Sequence, residues 1–128
     1  MCSPSLWAES RNNISNNELT IEGDRAVFMQ TENSIEYAGN VVAFMDGMRI
    51  LGDRVLVEMS EDRVERITTN GQPANFEQDL QSPNRNTTAS AETIVYLPTS
   101  GLLELSGEAS LTQAGNEVRG ALIRYNIN

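Results

Sequence analysis

The sequence predicts an all-β protein, an open β-jelly roll or V-shaped stack of antiparallel sheets built from internal repeats. Three observations carry that expectation: apolar residues alternate with polar ones along most of the chain after Leu19, turn residues interrupt the alternation at short intervals, and a small-residue unit recurs. The alternating segments are Leu19/Ile21, Ile35/Tyr37, Val41/Ala43/Met45, Val55/Val57/Met59, Ala74/Phe76, Ile94/Tyr96, Leu103/Leu105 and Ile123/Tyr125. A period of two places such residues on one buried face of a strand. Turn chemistry falls at Asp46-Gly47, Ser60-Glu61-Asp62, Asn70-Gly71, Ser82-Pro83-Asn84, Pro98-Thr99-Ser100-Gly101 and Gly115-Asn116. The one helix candidate, Glu58 to Arg66, would set Glu61 against Glu65 at i,i+4, so a hairpin turn is expected there instead.

The repeat is the most informative feature. Gly23-Asp24-Arg25-Ala26-Val27-Phe28 is echoed by Gly52-Asp53-Arg54-Val55-Leu56-Val57, and more weakly from Ala91 and from Gly120. At an offset of 68 residues, 21–57 aligns with 89–125 without a gap and places Gly39 on Gly107, Gly47 on Gly115 and Gly52 on Gly120. Each copy slips in parity. Ile21, Ile50, Ala89 and Val118 stand two residues before the small residue, whereas the next apolar positions are Ala26/Phe28, Val55/Val57, Ile94/Tyr96 and Ile123/Tyr125. A step of three inside a period of two requires a bulge or bend if one face is to stay buried, and glycine or alanine suits the crowded corner. Repeated bends fold long strands over a common interior.

The chain has 128 residues, one domain's worth, with 39% hydrophobic and 21% charged residues. Its net charge is −9, and all nine basic residues are arginines, so the long-range field repels nucleic acid. Single arginines are read as solvated surface charges. Cys2 is the only cysteine, so an intramolecular disulfide and a cysteine zinc site are excluded. Residues 1–10 read as the residual end of a secretory signal peptide, with Ser5-Leu6-Trp7-Ala8 before the cleavage point, or as an added tail. Residues 11–128 form the single domain, and an exported location is expected.

Histidine is absent, which removes histidine-based triads, acid–base work and metal sites. Asp24, Asp53 and Glu92 occupy equivalent repeat positions and are the only carboxylate row worth weighing for glycosidase-type chemistry. The simpler reading places them at the bends, accepting hydrogen bonds from nearby backbone, and no catalytic residue, metal or cofactor is expected. The expected inward set is Leu19, Ile21, Phe28, Ile35, Val41, Ile50, Val55, Val57, Phe76, Ile94, Tyr96, Leu103, Leu105, Leu111, Val118 and Ile123. The simpler reading is a filled core, and periodicity alone does not distinguish it from an interior that accepts acyl chains.

Several segments in order resemble the OstA-like lipopolysaccharide-transport family. They are Asp24-Arg25-Ala26, Tyr37-Ala38-Gly39-Asn40-Val41-Val42 and Met48-Arg49-Ile50-Leu51-Gly52-Asp53-Arg54-Val55. Asn70-Gly71-Gln72-Pro73-Ala74-Asn75-Phe76-Glu77-Gln78 is similar to a segment of the family's soluble periplasmic bridge, and Leu105-Ser106-Gly107-Glu108-Ala109 and Gln113-Ala114-Gly115-Asn116 match a later repeat. The resemblance spans about residues 18 to 126. It implies a periplasmic, non-enzymatic bridge whose apolar groove, lined by the inward set, shields lipid A acyl chains between inner and outer membranes. Its implied partners are lipopolysaccharide, an inner-membrane-tethered component and an outer-membrane assembly protein, joined through edge strands, with self-association through the same edges. Family members usually continue past the position of Asn128, so the C-terminal strands are expected to be truncated. Three alternatives stay open: an OstA-like domain of the outer-membrane or tethered component, a structural β-repeat scaffold, and a carboxylate glycosidase.

Overall fold

A computed structural model of the chain describes residues 19–45, 47–78 and 86–127. The expected signal-peptide end, Cys2, Asp46 and the turn at Ser82-Pro83-Asn84 lie outside the described residues. Eight strands follow in chain order: β1 (Leu19–Glu22), β2 (Arg25–Met29), β3 (Ser34–Met45), β4 (Met48–Ser60), β5 (Arg63–Gln78), β6 (Thr87–Leu97), β7 (Leu102–Gln113) and β8 (Asn116–Asn126). All pairing is antiparallel, in one sheet of order β1-β3-β4-β5-β6-β7-β8, with β2 also paired to β3. The Glu58–Arg66 segment is a hairpin, with Glu61 and Asp62 both at positive φ (52° and 69°) as a two-residue primed turn requires.

Register breaks run across the sheet along its middle, between Ala38/Val41, Leu51/Arg54, Asn70/Ala74, Ser90/Thr93 and Ser106/Ala109. They divide the sheet into a β1 wing and a β2 wing. Cross-strand partners then give continuous inward rows. In the β1 wing these are Leu19-Met45-Met48-Gln78-Thr87-Gln113-Asn116 at the tip and Ile21-Ala43-Ile50-Phe76-Ala89-Leu111-Val118 below it. In the β2 wing they are Phe28-Ile35-Val57-Ile67-Tyr96-Leu103-Tyr125 and, nearer the bend, Ala26-Tyr37-Val55-Thr69-Ile94-Leu105-Ile123.

The wings fold face to face. Gln113 pairs with Asn116 in the β1 wing, and Tyr125 lies nine residues farther along β8, about 30 Å away if the strand were straight. Yet Gln113 Nε2 donates to the Tyr125 hydroxyl at 2.8 Å, so the strands must double over at the bend. The same closure explains the burial. Among the described residues no second sheet or helix covers the inner face, yet Phe76, Ile94, Leu103 and Leu105 have no exposed surface. Small residues make the corner passable, because Gly52, Ala74, Ala91 and Ala109 sit beside it, and a Cβ on Gly52 would overlap the Thr69 methyl group.

One expectation is corrected. Asn70-Gly71 is not a turn: both residues lie inside β5, at the register break preceding Pro73, so the chain uses them as a bulge. Phe28 and Val118, both in the expected inward set, are 57% and 52% exposed. Their register partners, Ile35 and Leu111, put them on the inner face, but each stands on a strand at the sheet's edge, where among the described residues no further strand shelters it.

Candidate functional site

The inner face is not packed throughout. Between the wing tips, from β1 to the β6–β7 turn, a cavity of about 780 Å³ opens to solvent. Leu19, Ile21 and Met45 line it from the β1 wing, and Ile35, Tyr37, Val57, Met59, Val64 and Tyr96 from the β2 wing. Asp62, Arg63, Pro98 and Thr99 form its rim at the hairpin turns. The wall side chains are thus mostly apolar, and the charged ones sit at the rim. Cavities that enclose a small ligand run about 300–1,000 Å³, so this one is large enough to hold one.

The expected inward set therefore divides. Leu19, Ile21, Ile35, Val57 and Tyr96 line the open cavity. Val41, Ile50, Val55, Phe76, Ile94, Leu103, Leu105, Leu111 and Ile123 belong to the packed core, nearer the bend or toward β7 and β8. Met45, Tyr37 and Met59 fell on the right parity in the sequence, and their place beside the cavity depends on a closure of the wings that parity does not encode. Val64 and Pro98 carried no periodic signal of their own.

Two acids of the carboxylate row, Asp24 and Glu92, pack against the bends. The Asp24 backbone N–H donates to the Gly39 carbonyl at 2.8 Å, and its carboxylate accepts from Asn40 Nδ2 at 3.1 Å. Glu92, 68 residues on, stands against Gly107 as Asp24 stands against Gly39: a Cβ on either glycine would come within 2.8 Å of the acid's Cβ. Gly39 and Gly107 share a positive φ (88° and 86°), as do the residues after them, Asn40 and Glu108. Asp53 and Glu92 open onto two separate recesses outside the cavity. Five arginines, Arg49, Arg54, Arg66, Arg119 and Arg124, form ion pairs with half-exposed glutamates, as expected of surface charges.

The family described as LptA/(LptD N-terminal domain) LPS transport protein matches residues 20–128. The chain belongs to that family. The lipopolysaccharide export system protein LptH of Pseudomonas aeruginosa is 27% identical over 108 residues, which are 84% of this chain and 62% of that relative. The chain thus spans somewhat less than two thirds of the relative's length. The crystal structure of LptH from Pseudomonas aeruginosa, described as the LptA-homologous periplasmic component of the lipopolysaccharide transport device, matches with a TM-score of 0.79 at 26% identity. That match covers 87% of this chain and 77% of the other. The all-β fold read from the repeat is therefore the family's fold.

Proposed function

We propose that this chain is a periplasmic lipopolysaccharide carrier, a non-enzymatic bridge segment that holds lipid A acyl chains between its wings. The observation that carries the reading is the open cavity of about 780 Å³ between the wings, lined mostly by apolar side chains. A cavity so lined, if it were only a packing defect, would cost stability without return, whereas an acyl chain fills it and gains from leaving water. Burial is worth roughly 0.8 kcal/mol per methylene, so about ten methylenes held out of water contribute roughly 8 kcal/mol. Sugars and phosphates would remain outside, near the charged rim. The names of the matched relatives agree with this reading.

Partners are inner-membrane-tethered and outer-membrane components of the same family, paired through edge strands, with self-association through the same edges. β8 offers such an edge, since among the described residues it pairs only with β7. The family also includes the N-terminal domain of LptD, so an OstA-like domain of the outer-membrane or tethered component is the second reading. A barrel-coding segment or membrane helix in the complete reading frame would decide for it.

The test is photo-crosslinking to purified lipopolysaccharide, with the reactive residue placed at Ile35 or Tyr96. Adducts are expected there and not at Glu77 or Val95, which point outward by register. Equal labelling at all four positions, or none, would sink the carrier reading.

A further inference from the structure

Resting on the carrier reading and deepening it, we propose that Thr87, Gln113 and Tyr125 form a polar end wall that stops a bound acyl chain at β6. Gln113 Nε2 donates both its hydrogens, one to Thr87 Oγ1 at 2.9 Å and one to the Tyr125 hydroxyl at 2.8 Å. The first bond runs along the tip of the β1 wing and the second crosses to the β2 wing, so the slot is bolted shut at β7 and β8.

The repeat shows what this bolt replaces. Sixty-eight residues earlier stand Leu19, Met45 and Val57, and all three line the open cavity. The backbone pairing is the same in both places: Leu19 faces Met45 as Thr87 faces Gln113. One structural position thus has two chemistries, apolar and open in the first copy, polar and closed in the second. The inward tip row changes character between them, from Leu19, Met45 and Met48 to Gln78, Thr87, Gln113 and Asn116.

Dimensions agree with a stop at this point. The open slot crosses β1, β3, β4, β5 and β6, about 19 Å at roughly 4.8 Å per strand. Acyl chains of one bilayer leaflet span about 15 Å, half of the hydrocarbon core. A chain laid across the strands therefore fits before the wall. Beyond it, the chain would break both bonds of the Gln113 amide and offer no hydrogen-bonding group in return. Movement past β7 consequently needs the wall to open.

The wall is tested with lipopolysaccharide and a photo-crosslinking residue at one of three positions. Ile35 reports the cavity. Val118, on the inner face of β8, reports the space past the wall. Leu122, as exposed as Val118 but of outward parity, gives the background. In the unaltered protein, adducts are expected at Ile35, with Val118 at the Leu122 level. In Gln113→Leu, and separately in the milder Tyr125→Phe, Val118 adducts should rise several-fold while those at Ile35 persist. Val118 labelling equal to Ile35 in the unaltered protein, or at background in both variants, overturns the wall and leaves the carrier reading standing. Absence of adducts at Ile35 throughout overturns the carrier reading, and the wall as an acyl stop with it.

Discussion

The two repeat halves share a backbone and differ in what they enclose. In both, a glycine at positive φ (Gly39, Gly107) lies under an acid 15 residues before it (Asp24, Glu92). In both, one backbone bond ties a turn to the strand beyond: Met59 N–H donates to the Asn33 carbonyl at 3.0 Å, and Ile127 N–H to the Gly101 carbonyl at 2.8 Å. These pairs too are 68 residues apart. The interiors nonetheless diverge, because the first half leaves a slot and the second fills and fastens it. The lesson is that the bends set the shape while a few inward side chains decide where it stays open.

The largest expected effect falls on what the halves hold in common. Phe76 is fully buried among residues of both, and Phe76→Ala should cost about 3–5 kcal/mol in urea unfolding. A loss under about 1 kcal/mol would mean that the core is less tightly packed than its burial indicates. Next come the bend glycines. Gly107→Ala meets the Glu92 side chain and an unfavourable positive φ, and a loss of about 2–4 kcal/mol is expected. Gly39→Ala should cost less, because Asp24 sits in the short link between β1 and β2, where the backbone can shift. Equal losses would remove that distinction between an edge and an interior bend.

A smaller effect sharpens the contrast itself. Installing the wall in the first half, with Leu19→Thr, Met45→Gln and Val57→Tyr together, should lower lipopolysaccharide affinity about tenfold, roughly 1.4 kcal/mol. Titration of the triple variant against the unaltered chain checks this, and unchanged affinity would place the ligand elsewhere. The smallest effect belongs to the outer face. Arg49–Glu77 is a 2.6 Å pair with both side chains about half exposed, and Arg49→Ala should shift stability by at most about 1 kcal/mol.

The fold class, the bends and the exact offset between halves were legible because strand parity and glycine placement are written locally. Parity names a face and says nothing of cover, which is why Phe28 and Val118 share the inner face with the core yet stand exposed. Asn70-Gly71 carries a strong turn signature, but the chain spends that flexibility on a bulge within β5. Five of the cavity's lining residues belong to the expected inward set, but parity did not mark where the interior stays open. The cavity's extent depends on the wings meeting across the bend, and Val57 and Tyr125 share one parity and one repeat position while only the second reaches across to the other wing. For Gln113 the available signal was a polar side chain at the repeat position that Met45 holds in the first half.

From β3 to β8 each strand pairs with the next in the chain, and that connectivity has a consequence for how the molecule assembles. The β3–β4, β4–β5, β6–β7 and β7–β8 connections are short turns, so each new pairing closes only a small loop, whose entropic cost is low. Strands can be added one at a time onto an existing edge, as in other nearest-neighbour repeat architectures. Wing closure can come only after the strands on both sides of a bend are laid down, so a growing sheet exposes its apolar inner face until the second half is in place.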